Sequence, residues 1–317
     1  MLMLNSNILS ELEDILGKDN VRKDEPMYKH TTFRIGGAAD CFVTPDSIDK
    51  LKKVVLLLKD NNVDYYIVGN GSNLLVNDNG YRGVIIQLYN QFSKYEFLHD
   101  SCNSAVDKPD RVYVKVQAGM MLSKLGKIFA DNSLTGFEFA TGIPGTIGGA
   151  VMMNAGAYGG EFKDIIISAD VMDREGNIFT LSCDELELGY RTSIIAKKNY
   201  IVLAALIGLS AGNKDKINER LKELANMRRE KQPLEYPSAG STFKRPKGYF
   251  AGKLISDAGL KGLCVGDAQV SEKHAGFVIN KGHATAKDVI ELTDKVSDKV
   301  YGLNGVRLEL EVRKLGF

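Results

Sequence analysis

Between Gly142 and Glu161 the chain reads GIPGTIGGAVMMNAGAYGGE, and no other stretch limits so tightly what it folds into. Glycine loses the most conformational entropy on ordering and brings no side chain to pack. Gly142, Gly145, Gly148, Gly149, Gly156, Gly159 and Gly160 in one segment therefore imply that something comes very close to this backbone. A second segment, GNGSNLLV at 69 to 76, follows an apolar run as a dinucleotide fingerprint would, but Leu74 stands where the third glycine of GxGxxG belongs. Neither segment has the GK[ST] spacing of a Walker loop. With hydroxyls on Ser72, Thr141 and Thr146 and amides on Asn70, Asn73 and Asn154, the two segments suit a pyrophosphate held outside the Rossmann pattern. Two tight turns are the plainer alternative.

At 317 residues the chain is expected to form two or three domains or subdomains. Lys and Arg number 41 against 40 Asp and Glu, so a net charge of +1 provides no global field for nucleic acid or an anionic membrane, and an anionic ligand must be held locally. Cys41, Cys102, Cys183 and Cys264 are far apart and lack CxxC or Cys/His spacing, so free thiols and no metal site are expected. The N-terminus has no basic region ahead of an apolar run, and no stretch is long enough to span a bilayer; no membrane insertion and a cytoplasmic location are expected.

Leu9, Leu12, Ile15 and Leu16 share a helical face, as do Ile48, Leu51, Val55 and Leu58 after the start signal Thr44-Pro45-Asp46. Strands are predicted at 64–69, 83–89 and 111–117, a helix at about 122–132, a hairpin of 165–173 with 177–182, and an apolar strand at 200–209. Residues 91–110 read as a solvated loop. From Ser210 the composition changes to a charged amphipathic helix with Ile217, Leu221, Leu224 and Met227 inward, a link into another domain. Beyond it come a helix near 252–257, a strand AGFVIN, a helix with Val289, Leu292, Val296 and Val300 on one face, and a closing strand VRLELEVRK.

Four further places carry candidate chemistry. SAGSTFKRP sets Ser241 beside Lys244 and Arg245 in a polar turn, either an anion-binding hydroxyl with two cations or a solvated surface turn. GYRTS offers Tyr190 and Arg191 between strands. In the closing strand Leu308, Leu310 and Val312 point one way, so Arg307, Glu309, Glu311 and Arg313 share the other face, and periodicity does not choose between Glu309 and Glu311 as a carboxylate in a cleft. His274 fits a strand end or a ligand contact equally.

Taken in order, HTTFRIGGAAD, YIVGNGSNLLV, the glycine segment, GYRTS, REKQPLEYPSAGSTFKRP, AGKLISDAGLKG, HAGFVIN and LELEVR resemble the UDP-N-acetylenolpyruvoylglucosamine reductases from His30 to Gly316. The resemblance implies an α+β fold: an FAD-binding domain of the vanillyl-alcohol-oxidase (PCMH) type made of two α/β subdomains, at 1–90 and 91–212, and an α+β substrate-binding domain at 213–317. It implies that the FAD pyrophosphate and ribityl chain are the close-approaching partner, lying along Gly69, Asn70, Gly71, Ser72, Asn73 and Leu74, and along Thr141, Gly142, Pro144, Gly145, Gly148, Gly149, Ala150, Asn154, Gly156 and Ala157. NADPH is the implied reductant and UDP-N-acetylglucosamine enolpyruvate the implied substrate, reduced to UDP-N-acetylmuramate for peptidoglycan. By the same resemblance Ser241 is the proton donor, Arg191 stabilises the substrate carboxylate and developing enolate, and Glu311 is the second acid/base group. Lys231, Lys244 and Arg245 meet the UDP phosphates, with Tyr190 and His274 as further substrate contacts. Neither glycine segment holds a His or Cys, so the flavin is expected to be non-covalent. About twenty residues separate the strand at 200–209 from Arg228-Arg229, too few for the tyrosine-bearing segment of the longer subtype. A non-catalytic flavin or nucleotide-sugar binding protein of the same fold is the alternative, disfavoured because binding alone needs no proton donor.

Overall fold

Local sequence sets the helices. In the computed structural model, which describes residues 4–98 and 111–317, the helix Ser6–Leu16 starts at Asn5, whose side chain accepts the Ile8 N–H at 2.9 Å. It buries Ile8, Leu12 and Leu16, so its inner face is rotated from the expected one and Leu9 and Ile15 flank it. The helix Ile48–Asp60 is capped by Ser47, not by Asp46, which pairs with Lys50 at 2.8 Å.

The strands Val21–Pro26, Ala38–Val43, Tyr81–Gln87 and Tyr65–Val68 lie side by side in that order, the last two parallel. A larger antiparallel sheet has the order Ile178–Ser182, Ile166–Met172, Ile201–Ala211, Arg111–Gln117, Tyr95–Leu98, with Leu134–Thr135 also on the long strand. Ile201–Ala211 is buried on both faces over most of its length, which is why it reads as an unbroken apolar run. The stretch expected as a loop from 91 to 110 contains the strand Tyr95–Leu98. Phe97 pairs with Val114, and Tyr95 packs edge-on against Phe97 at 5.9 Å, an aromatic pair two residues apart that the polar composition around it obscures. The remainder of that expected loop, 99–110, lies outside the described residues.

The chain divides into two compact units interleaved in sequence, whereas the division expected from sequence is contiguous. The first comprises Met1–Arg22, Phe42–Asn70 and Val84–Asn226 and contains the large sheet. The second comprises Lys23–Cys41, Gly71–Gly83 and Met227–Phe317. Its core gathers Phe33, Ile35, Leu75 and Phe243 with the inward face of the helix Ala286–Asn304, where Val289, Leu292, Val296 and Val300 are buried. That helix begins with a capping box of Thr285 and Asp288, and the Asp78 carboxylate accepts its next two N–H groups, from Ala286 and Lys287, at 2.7 and 3.0 Å.

The closing strand differs from expectation. Its alternation holds, with Leu308 and Val312 buried and Glu309 exposed, but the backbone pairs in pieces: Leu310 bridges Phe243, and only Arg313–Leu315 runs as a strand, parallel to Leu74–Val76. Its partners are loops on one side and a three-residue strand on the other, so no continuous ladder forms.

Candidate active site

In the first unit, the two expected cofactor stretches meet. Asn70 donates from Nδ2 to the Pro144 carbonyl at 2.7 Å, and Gly69 lies so close to Thr146 that a Cβ there would strike the threonine hydroxyl. Thr146 is itself buried. The glycines divide into two kinds. A Cβ on Gly148 would stand 3.1 Å from the Ala118 Cβ, and one on Gly160 would stand 2.7 Å from the Phe139 ring, so the close-approaching partner at these positions is the protein's own chain. The N–H groups of Ile147 and Gly148 donate to the Met120 and Ala118 carbonyls at 2.9 and 2.8 Å. At Gly149 the nearest protein atom to a Cβ would be the Thr146 hydroxyl, at 3.9 Å, and the residue is exposed. Gly142 and Pro144 are exposed beside it. Gly149 is thus a cradle that a side chain would fill and that this unit leaves open, as an approaching cofactor requires. The Thr141 hydroxyl is buried with no hydrogen-bond partner and faces Gly126, an orphaned polar atom at the rim of this segment. The residues present fit a flavin nucleotide laid against backbone here.

Asn154 is buried and in the left-handed conformation, and its side chain serves the protein. Nδ2 donates to Glu161 at 3.1 Å and to the Gly189 carbonyl at 3.2 Å, while Oδ1 accepts the Lys163 N–H at 2.9 Å. Any contact of Asn154 with a cofactor therefore falls to its backbone. Through Gly189 it anchors the turn that carries Tyr190 and Arg191, closed by paired backbone bonds between Gly189 and Thr192. Ser193 adds a second anchor, donating to the Met152 carbonyl at 2.7 Å. At the tip Arg191 has φ +54°, a conformation costly for a long side chain and held here by the turn that Gly189 and Thr192 close, and its guanidinium reaches the Gly156 carbonyl at 3.4 Å. Ala150 is buried in the helix Ile147–Met153; Gly156 and Ala157 form a short hairpin with Gly160 and Glu161.

In the second unit, Gly71 has φ +61°, and a Cβ there would run into the His30 carbonyl oxygen. Ser72 is half-buried beside it, and Leu74 is buried with its backbone paired to Arg313. Asn73 donates from Nδ2 to the Glu311 carbonyl at 3.2 Å, and its own carbonyl accepts the Arg313 N–H at 3.0 Å. The loop after Gly71 is thereby tied to the segment bearing Glu311. That segment pairs with the one after Ser241: the Glu311 N–H donates to Thr242 and the Lys244 N–H to Glu309, both at 2.8 Å. Thr242 is buried and its hydroxyl accepts the Val278 N–H at 2.8 Å, fixing the residue next to the exposed Ser241. The register also separates the two glutamates that periodicity could not. Glu309 lies opposite Lys244 and pairs with it at 3.0 Å on the surface, while Glu311, opposite Thr242, is half-buried.

The remaining candidates are more peripheral. His274 accepts the Gly276 N–H on Nδ1 at 3.1 Å and packs edge-on against Phe277 at 4.8 Å; burial pushes its pKa below the usual imidazole value. Arg245 stacks its guanidinium 4.0 Å above the exposed Phe250 ring, and Lys231 is exposed in the last turn of the helix Lys214–Lys231. Sequence reading missed Thr32 and Thr242, whose hydroxyls bond backbone groups far away in sequence. The only signal for Thr32 was its place in the HTTFR block. Among the described residues no cluster of His, Cys, Asp or Glu could hold a metal, and no helix is long and apolar enough to cross a membrane.

Residues 39–182 match the FAD binding domain family, and residues 232–315 match the C-terminal domain of UDP-N-acetylenolpyruvoylglucosamine reductase. Fold and site thus define a flavoprotein oxidoreductase, with a PCMH-type FAD-binding domain joined to an α+β C-terminal domain. Curated UDP-N-acetylenolpyruvoylglucosamine reductases from Clostridioides difficile and Alkaliphilus oremlandii are 51% and 50% identical to it, the first over 99% of both chains and the second over 96% of both. A crystal structure of the reductase from Thermus caldophilus superposes with a TM-score of 0.78 at 34% identity, covering 93% of this chain and 99% of that one. The chain belongs to the UDP-N-acetylenolpyruvoylglucosamine reductase family and uses FAD.

Proposed function

We propose that the chain reduces UDP-N-acetylglucosamine enolpyruvate to UDP-N-acetylmuramate in the cytoplasm, with NADPH as reductant and non-covalent FAD as cofactor. When bound, FAD would supply the hydride chemistry that links the nicotinamide to the enolpyruvyl methylene carbon. The protein's part is to hold the nucleotide, stabilise charge and move the proton. Ser241 donates to the carbon adjacent to the one reduced, a step a serine performs only toward a strongly basic recipient with water excluded. Arg191 supplies fixed positive charge to the substrate carboxylate and the developing enolate. Glu311 is the second acid/base group. Lys231, Lys244 and Arg245 meet the diphosphate, Tyr190 and His274 are further substrate contacts, and 213–317 is the substrate-binding part.

The observation that carries this reading is the pairing of the segment after Ser241 with the one bearing Glu311, through the 2.8 Å bond from Glu311 N–H to Thr242, with Glu309 turned away to Lys244. A chain that only bound a flavin would have no need to hold the backbone beside a serine in register with that of a half-buried glutamate. The test is the visible spectrum of the purified protein. NADPH should bleach the flavin bands and the enolpyruvyl nucleotide should restore them without oxygen; bleaching with no recovery would contradict the proposed substrate.

A further inference from the structure

Thr32 belongs to none of the candidate sets above, yet it joins two of them. Its N–H donates to the Gly71 carbonyl at 3.3 Å, at the start of the second unit's glycine-bearing loop. Its hydroxyl donates to the Ser238 carbonyl at 2.7 Å, and its own carbonyl accepts the Ser238 N–H at 3.2 Å, three residues before Ser241. The far ends of the same two segments also meet: Asn73 donates to the Glu311 carbonyl at 3.2 Å, and the Glu311 N–H donates to Thr242 at 2.8 Å. The bonds close a ring, from Thr32 through Gly71 and Asn73 to Glu311, on to Thr242, and back through Ser241 to Ser238 and Thr32. Two of its joints depend on side chains, Thr32 and Asn73; the others are backbone to backbone.

We propose that Thr32 is a positioning residue for the Ser241 proton donor, acting through the Ser238 carbonyl. This rests on the reading of Ser241 as the donor. Ser241 is exposed and stands between Gly240, at φ +74° and with open space where a Cβ would lie, and buried Thr242. Downstream it is held by the Thr242 bonds. Upstream a glycine gives it freedom, and the hold before that glycine is shared by the buried Ala239, the bridge of Ser238 with Ile279, and Thr32, which binds both the carbonyl and the N–H of Ser238. Removing the hydroxyl leaves the Ser238 carbonyl without its 2.7 Å side-chain donor, with only backbone bonds to Thr32 and beside Ile279 remaining, and loosens the approach to the Gly240 hinge. A displacement of about 1 Å at a reacting group costs about 10²-fold in rate. Adding flavin reduction by NADPH as a control separates this from general damage, because that half-reaction requires no proton from Ser241.

The test is the FAD-loaded full chain carrying Thr32→Val, followed in each half-reaction separately, beside Thr32→Ser and Ser241→Ala. Thr32→Val should slow flavin reoxidation by the enolpyruvyl nucleotide about 10- to 100-fold while reduction by NADPH stays within about threefold. Thr32→Ser, which keeps the donor, should restore reoxidation. In the flavin-free protein, amide hydrogen exchange should speed up in peptides covering Ser238 to Thr242 in Thr32→Val, a readout independent of turnover. If Thr32→Val does not fold, Thr32→Ala carries the same comparison with a smaller side chain. Unchanged reoxidation, or equal slowing of both halves, overturns the role of Thr32 provided Ser241→Ala is slow in reoxidation. A fast Ser241→Ala protein overturns the reading beneath it instead.

Discussion

The segment from Thr141 to Gly160 and the paired segments around Ser241 and Glu311 both use side-chain anchors on distant backbone, such as Asn154 on Gly189 in the first, but they differ in what shapes them. In the first, shape comes from missing side chains: Gly148 admits Ala118, Gly160 admits the Phe139 ring, and Gly149 is left open. In the second, position comes from side-chain hydroxyls and amides bound to distant backbone, as with Thr32 on Ser238, Thr242 on Val278 and Asn73 on Glu311. The difference matches the two tasks proposed for them. A cofactor pyrophosphate needs room and backbone, whereas a proton donor needs an angle and a distance, which hydrogen bonds set more sharply than packing does.

Substitutions in the glycine segment test this most severely. Gly149→Val should fold with a normal far-ultraviolet spectrum and melting point yet purify colourless, since the valine fills space that the protein does not use. Gly148→Val should lose stability instead, its Cβ starting 3.1 Å from Ala118 with two further methyls to place. A yellow Gly149→Val protein would mean that the open position does not face the cofactor. Next in size, Ser241→Ala should leave flavin bleaching by NADPH intact and slow reoxidation by about 10²- to 10⁴-fold. Equal slowing of both half-reactions would make Ser241 structural and erase the contrast between the two regions.

Within the second region, the two glutamates set a finer comparison. They lie two residues apart, about 6.6 Å along an extended chain and beyond hydrogen-bond reach of a common atom. Glu311→Gln keeps size and polarity and loses the exchangeable proton; it should reduce normally with NADPH and form product about 10²-fold more slowly. Glu309→Gln removes an exposed pair with Lys244 and should stay within about twofold of the parent in single turnover. Reversed rates would place the functional carboxylate on the surface side of the register.

Much of this was legible in the chain because it is local. The helix Ala286–Asn304 buries the four residues its period predicts, and the hairpin pairs Ile166–Met172 with Ile178–Ser182 as expected. What sequence did not disclose is non-local. Glycines announce a close approach without naming the partner: at Gly148, expected beside the flavin, a Cβ would meet Ala118, and at Gly160 it would meet the Phe139 ring. A run of alternating residues such as VRLELEVRK fixes the faces and says nothing of who supplies the ladder; here the partners are Phe243 and Leu74–Val76, more than sixty and two hundred residues away. Thr32 and Ser238, 206 positions apart, have no pattern in common that a reading of either could detect.

The smallest expected effect falls on stability and concerns His274, at the edge of the second region. Its ring is half-buried and Nδ1 accepts the Gly276 N–H, an arrangement that suits neutral imidazole; burial is the main cause of its lowered pKa, with Lys261 adding to it. The folded value lies below the unfolded value of about 6.5, so over the interval between them the unfolded chain binds more protons than the folded one. Stability therefore rises with pH across that interval, and the loss on acidification begins near 6.5 and is complete below the folded pKa. His274→Asn keeps an acceptor for Gly276 and cannot titrate, so its melting temperature should fall less steeply than the parent's between pH 7 and pH 5, with the two converging in slope outside that window. Parallel melting curves through the whole range would show that the imidazole is equally easy to protonate in both states, and that the turn at Gly276 is held without it.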